Sequence, residues 1–326
     1  MRQIVTADVG GTHARFALAT IDAGRVVGLD RMLKLKTAEH ASFQMAWETF
    51  GRYLGTPLPR EIAIAFAGPV GGDILKLTNS PWIIQPDQIA VHLHVDRYLL
   101  LNDFGAVAHA VAGLDQSAFR HVCGEDRKLP DDGVVTVIGP GTGLGVATLL
   151  RRSDDNEIIE TEGGHIGYAP LDPTEDQILA HLRRSFHRVS AERLVSGAGL
   201  ANIYAALAAI EQRQVLHRDD KALWAAALDG SDNLATAALE RFCLIFGAVA
   251  GDMALAHGAD AVVIAGGLGL RLSDHLPRSG FASRFVAKGR FERRMESLPI
   301  KLVTFPEPGL FGAAAAFAKI SREPGT

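Results

Sequence analysis

Three glycine turns follow apolar runs in this chain: Asp8-Val9-Gly10-Gly11-Thr12, the stretch Gly139–Gly145, and Ala265-Gly266-Gly267. Glycines let backbone N–H groups converge on a phosphate where side chains would keep it away. A plain hairpin turn is the alternative for any one of them. Three such turns, with Asp8 and Thr12 flanking the first, favour phosphate binding. No GxxxxGK[ST] stretch occurs, which excludes a P-loop protein. The first two turns lead into strands rather than helices, which counts against a dinucleotide-binding fingerprint. An acidic residue beside phosphates repels them unless a cation lies between. Magnesium often takes one carboxylate, several waters and substrate phosphates. Asp8 is therefore the candidate for holding hydrated Mg2+, and a capping or turn aspartate is the alternative.

A second group of polar residues suits a sugar. Asn102 and Asp103 stand between the apolar run Leu99-Leu100-Leu101 and an apolar helical stretch, where α/β sheets commonly place ligands. Asn and Asp also favour such junctions as caps. Glu162-Gly163-Gly164-His165 brings backbone close while projecting a carboxylate and an imidazole. Glu192, followed by Arg193, reads alone as half of a surface ion pair on a helix, and Thr78-Asn79 closes a strand. A sugar presents many hydroxyls, each donor and acceptor, and burying it needs this mixture of carboxylates, amides and imidazole. Asp103 is then the general base for the attacking hydroxyl, a role that contributes typically ~10²–10⁴-fold. The remainder of phosphoryl transfer is positioning and charge stabilisation. A metal site at Glu162 and His165 lacks a second spaced cluster, the twelve histidines being scattered. His92 and His94 alternate like one face of a strand.

The elements that must carry these residues follow from periodicity. Ile4–Ala7, Arg15–Ile21 and Val26–Leu35 read as strands. Phe43, Trp47, Phe50 and Leu54 recur at helical spacing behind Ser42, an N-cap. Glu61–Ala67, Ile74–Thr78 and Tyr98–Leu101 read as strands, and Phe104–Leu114 as a helix. Asp115–Gly133 is polar and reads as a domain junction or surface excursion. Strand, glycine turn and strand then repeat at Val134–Ile138 and Gly145–Arg152. Asp232–His257 is the clearest long helix, capped by Ser231 and stopped by Gly258. Ala261–Ala265 and Ile300–Phe305 read as strands, and Gly309–Ile320 as a closing helix. Two halves that begin alike imply a duplicated α/β core.

Composition bounds the rest. At 326 residues with 48 % hydrophobic and 21 % charged residues, the chain can bury a core without staples and exceeds one ordinary domain. Lys plus Arg total 33 against 37 for Asp plus Glu, so no basic excess supports nucleic-acid binding. The two cysteines form no CxxC, which argues against a disulfide framework or zinc ribbon. The first residues lack a signal-peptide apolar region, and the two longest uncharged stretches, Gly133–Leu150 and Leu194–Ile210, are interrupted by glycine and polar residues. The expectation is a soluble cytoplasmic protein without membrane or nucleic-acid partners.

The sequence resembles the bacterial glucokinases of the hexokinase–actin–Hsp70 superfamily along nearly its whole length. The resemblance is carried by Asp8–Arg15, Leu101–Phe104, Gly139–Val146, Glu162–His165, Ser190–Leu200, Gly280–Phe291 and Pro308–Ala315. It implies a two-domain actin-like ATPase (ribonuclease H-like) fold with a duplicated core and an interdomain cleft. The small α/β domain would comprise residues 1–113 and 306–326, the large one 114–305. It implies ATP-dependent phosphorylation of D-glucose at the 6-hydroxyl, with Mg2+, in a homodimer. It carries over Asn102, Asp103, Gly143, Glu162, His165 and Glu192 as sugar ligands, with Asp103 as base; Thr78 and Asn79 join them on the reading of the residues alone, as further hydrogen-bonding groups at a strand end. The nucleotide side is Ala7, Asp8, Val9, Gly10, Gly11, Thr12, Gly141, Thr142, Gly266 and Gly267. The cysteine-rich zinc motif of the related repressor–kinase group is absent, which points to the zinc-free branch. Two alternatives stay open: a kinase for another hexose, and a non-enzymatic actin-like or sugar-sensing protein.

Overall fold

The computed structural model describes residues 1–77, 80–153, 155–215 and 219–321. Thr78 and Asn79 lie outside these residues. In chain order the strands and helices are β1 (Arg2–Val9), β2 (His13–Asp22), β3 (Arg25–Lys36), α1 (Phe43–Leu54), β4 (Glu61–Phe66), β5 (Leu75–Lys76), β6 (Ile83–Ile84), α2 (Ile89–Leu93), β7 (Arg97–Asn102), α3 (Asp103–Gly113) and β8 (Phe119–Cys123). They continue as β9 (Gly133–Pro140), β10 (Leu144–Arg151), β11 (Glu157–Thr161), α4 (Pro173–Leu182), α5 (Gly199–Ile210), α6 (Asp220–Asp229), α7 (Asn233–His257), β12 (Ala261–Ile264), α8 (Gly266–Arg271), α9 (Phe281–Val286), α10 (Glu292–Glu296), β13 (Ile300–Val303) and α11 (Pro308–Ile320).

The chain forms two compact units. The first holds Met1–Asp115, Ile158–Glu160 and Phe305–Thr326, and the second holds Gln116–Glu157 and Thr161–Thr304.

The sheet of the first unit runs β3-β2-β1-β4-β7. β1 is antiparallel to β2 and parallel to β4, and β4 is parallel to β7. Alternation along β1 and β4 sends Val5, Ala7, Ile62 and Ile64 to one face, where they meet Phe43, Trp47 and Phe50 of α1. Phe16 stacks there on Phe43 and Phe50, with ring centroids 5.8 and 5.3 Å away. Ile4, Ala63 and Ala65 face the other way, onto Ala106 of α3 and the alanine-rich α11. The closing helix thus completes the first unit because its small residues let it lie flat on that face. Ser42 caps α1 by accepting from the Met45 N–H at 3.2 Å, as its position implies.

The second sheet runs β11-β10-β9-β12-β13-β8. β9 is antiparallel to β10 and parallel to β12, and β12 is parallel to β13. This repeats the arrangement of β1 with β2, β4 and β7, so the duplicated core is present as connectivity. α7 forms the centre of the second hydrophobic core through Leu239, Phe242, Phe246 and Val249, with Phe281 and Phe285 of α9 packed on it. α7 is long and apolar enough to cross a membrane by length and composition alone, but 72 % of its most apolar stretch is buried inside the protein.

Two local expectations need correction, and a third gains an element. α7 is capped by Asp232, not Ser231, because the Asp232 carboxylate accepts from both the Leu234 and Ala235 N–H groups. The polar stretch 115–133 begins where the first unit ends, at Asp115, and it also contains β8, which pairs antiparallel with β13 as an edge strand. His92 lies in the short helix α2, and His94 ends it in the left-handed region at φ 54°, so the two do not share a strand face.

Candidate active site

In the first unit, β1 and β2 meet at Gly10-Gly11, where the Gly10 N–H donates to the His13 carbonyl at 2.9 Å. Thr37 anchors this turn: its hydroxyl donates to the Gly11 carbonyl at 2.7 Å and its N–H to that of Thr12 at 3.1 Å. Asp8 pairs with Arg15 across the two strands, and the Arg15 guanidinium reaches its carboxylate at 3.1 Å. Arg15 also lies 3.3 Å from Glu307, the residue preceding α11. Two carboxylates therefore share one cation. Burial pushes the Asp8 carboxyl above its usual range, and Arg15 only partly offsets this. Glu307 is raised by burial too, with Arg15 opposing and the Asp8 charge adding to the rise. An excess of half-buried negative charge beside this turn is what a divalent cation would neutralise. Among the described residues no three acidic, histidine or cysteine side chains gather as a metal cage. The donor set fits a cation held by few protein oxygens, such as hydrated Mg2+.

Asn102 and Asp103 sit where β7 becomes α3. Asn102 is the N-cap: its side-chain oxygen accepts from the Phe104 and Gly105 N–H groups at 2.8 and 3.1 Å. Its amide nitrogen donates to the Gly68 carbonyl at 3.2 Å. Capping thus positions the polar pair, and both readings of Asn102 are served by one geometry. Asp103 opens the helix as the residue directly after the cap. One of its oxygens accepts from the Phe104 N–H at 2.9 Å.

In the second unit, the turn between β9 and β10 is closed by the Gly141 N–H donating to the Gly143 carbonyl at 2.8 Å. The Gly141 carbonyl in turn accepts from the Gly197 N–H at 2.8 Å. Glu192 sits in a short 3-10 turn, Ala191–Arg193, not on a surface helix. Its carboxylate accepts from the Leu144 N–H at 2.9 Å and lies over Gly143, where a Cβ would approach within 2.4 Å. Glu162 precedes a 3-10 turn spanning Gly163–His165, and the His165 ring lies 3.8 Å from its carboxylate. Both side chains are more than half exposed, which leaves them available to a ligand. The Ala191 N–H donates to the Ile166 carbonyl at 2.9 Å, tying the Glu192 turn to the His165 turn. The second unit therefore gathers Gly141, Thr142, Gly143, Glu162, His165 and Glu192 on connected turns. Gly266, at φ +83°, opens α8 beside the same turn, and a Cβ there would meet the Pro140 carbonyl at 2.7 Å.

Behind these turns lies a group the sequence reading did not single out. Glu175, 1 % exposed, accepts from the Tyr168 hydroxyl and the Leu171 N–H, both at 2.9 Å. Its other oxygen faces Arg241 at 3.0 Å and Arg284 at 3.2 Å. Both arginines also hold Asp172, the N-cap of α4. Burial pushes the Asp172 carboxyl up, but the Glu175 N–H and the two arginines outweigh it and the carboxyl falls below its usual range. Burial, with Glu175 adding to it, raises the Tyr168 hydroxyl. This balanced network fixes the chain three residues beyond His165, and Arg284 ties the stretch from Gly280 to it.

A sequence model of the family described as Glucokinase matches residues 5–320. The chain belongs to the glucokinase family. It is 61 % identical to the glucokinase of Zymomonas mobilis subsp. mobilis over 97 % of this chain and 98 % of that one. A glucokinase crystal structure from an Antarctic psychrotroph superposes with a TM-score of 0.83 at 32 % identity, covering 97 % of this chain and 98 % of its own. A ROK family glucokinase from Streptomyces griseus, solved in complex with glucose and AMPPNP, shares the fold with a TM-score of 0.60 at 19 % identity, over 97 % and 99 % of the chains. The fold is the two-domain actin-like ATPase fold of the sugar kinases.

Proposed function

We propose that the chain phosphorylates D-glucose at the 6-hydroxyl with ATP, giving glucose 6-phosphate and ADP, with Asp103 as the base. Family membership over nearly the full length supports the reaction. The observation that supports the base is the placement of Asp103 at the start of α3, beside its capping neighbour Asn102. There its carboxylate stands at the junction where the attacking hydroxyl's proton would be taken up. Asn102, Gly143, Glu162, His165 and Glu192 bind and orient the sugar, with Thr78 and Asn79 as further ligands. The backbone of residues 7–12, with Gly141, Thr142, Gly266 and Gly267, holds the nucleotide.

Asp8 holds Mg2+ through water, and the excess charge of Asp8 and Glu307 over Arg15 supports this. When bound, the ion supplies neutralisation of charge on the phosphates. Arg15 keeps Asp8 aimed at the turn. The reading extends to a cytoplasmic homodimer acting at the entry of glucose into glycolysis. A coupled kinase assay over a panel of hexoses and phosphoryl donors tests the reaction. The highest kcat/KM is expected for glucose with ATP, and a higher value for another hexose would overturn the substrate. Sedimentation tests the dimer.

A further inference from the structure

We propose that Glu160 is a positioning residue for the base, acting as the missing half of a capping box at the start of α3. In a capping box the side chain at N3 reaches back to the N–H of the N-cap residue. Asn102 is the N-cap here, which makes Gly105 the N3 residue, and glycine has no side chain to reach back. The Glu160 carboxylate takes its place. Its Oε1 accepts from the Asn102 N–H at 3.0 Å. A Cβ on Gly105 would lie 2.2 Å from that same oxygen, so the carboxylate occupies the volume that a side chain at N3 would fill.

Asn102 is thereby held at three points: its N–H by Glu160, its side-chain oxygen by the α3 N–H groups, and its amide nitrogen by Gly68. Asp103 follows it directly, so a shift of Asn102 moves the base. Residues 158–160 belong to the first unit, and the chain enters the second at Thr161, one residue before the sugar ligand Glu162. Glu160 thus orients the base from the segment that continues into the sugar-binding turn. An arrangement in which α3 carried its own N3 glutamate would cap the helix equally well but lack this connection.

The proposal rests on Asp103 being the base. The test measures kcat, KM for glucose and ATP, and Tm for Glu160→Ala and Glu160→Gln. Misplacing a reacting group by about 1 Å can cost on the order of 10²-fold, and the loss of one partly solvated anchor is expected to lower kcat about tenfold in Glu160→Ala. KM for ATP should not change. Glu160→Gln keeps an acceptor oxygen and should retain kcat within about twofold. Adding Gly105→Gln to Glu160→Ala rebuilds the box within α3 and should restore part of the loss. If Glu160→Ala does not fold, Glu160→Asp takes its place: one methylene short, it should lose activity that Glu160→Gln keeps. Unchanged kcat in Glu160→Ala, or equal losses in the Gln and Ala variants, would overturn the proposal. Asp103→Ala separates the two ideas: activity there removes the base, whereas an inactive Asp103→Ala beside a fully active Glu160→Ala removes only the role of Glu160.

Discussion

Gly143→Ala is the sharpest probe of the sugar side. The left-handed region is not needed at this position, since Gly143 is not among the glycines with positive φ. The effect of a methyl group is therefore steric. The added carbon would stand 2.4 Å from Oε2 and 3.2 Å from Cδ of Glu192. Ordinary contact begins at about 3.5 Å, so the carboxylate must retreat by about 1 Å. That breaks the 2.9 Å hydrogen bond it accepts from the Leu144 N–H and withdraws it from the sugar hydroxyl that the proposed site assigns to it. The end of a glutamate moves cheaply, so the fold survives. A hydrogen bond to a charged group contributes about 1.5–3 kcal/mol, and about 1.4 kcal/mol is tenfold in an equilibrium constant. Glucose Kd and KM should rise about 10- to 100-fold. The assay is calorimetric titration with glucose beside initial rates, with Tm as the control for folding. Gly141→Ala, two residues earlier and facing open space, should raise KM for ATP and leave glucose Kd unchanged. An unchanged glucose Kd in Gly143→Ala would refute the assignment of Glu192 and the reasoning from close approach.

Other outcomes follow from the charges. Burial raises the Asp8 carboxyl, so folding makes its ionisation harder. The destabilisation is absent below its ordinary value of 3.8 and complete above its folded value. Asp8→Asn should therefore raise Tm at pH 7.5 while lowering activity, and the gain should shrink on acidification; a lower Tm than the parent at pH 7.5 would contradict this. Arg284→Ala leaves Asp172 and buried Glu175 with one arginine between them. Breaking a buried ion pair costs about 3–5 kcal/mol, and since Arg241 remains, a loss near the lower end is expected in urea unfolding. A loss below about 1 kcal/mol would show that Arg284 is not needed there.

Much of this was legible in the residues, for reasons that can be named. The strand–glycine–strand starts at Asp8 and Gly139 are local features, and local chemistry sufficed to place β1, β2, β9 and β10. Ser42 was found because its helix has a clear period, whereas Asp232 was passed over because Ser231 and Asp232 are both good caps and only the hydrogen bonds choose between them. β8 was hidden because an edge strand needs its partner β13, nearly two hundred positions on, to be recognised. His92 and His94 misled because a helix as short as α2 has no period to read. Glu192 was identifiable only through resemblance, since its contact with Gly143 joins distant turns. Glu160 and Glu175 carry no motif. The one hint of Glu160 is a glycine at N3 of α3, where a helix start would favour a side chain.

The central claim is that Asp103 removes the proton from the attacking hydroxyl, and Asp103→Asn measures it most directly. The amide keeps the size and an oxygen for the Phe104 N–H but cannot accept that proton. Glucose Kd is expected to stay within a few-fold of the parent while kcat falls by about 10²- to 10⁴-fold. A kcat near that of the parent, at unchanged Kd, would contradict the account.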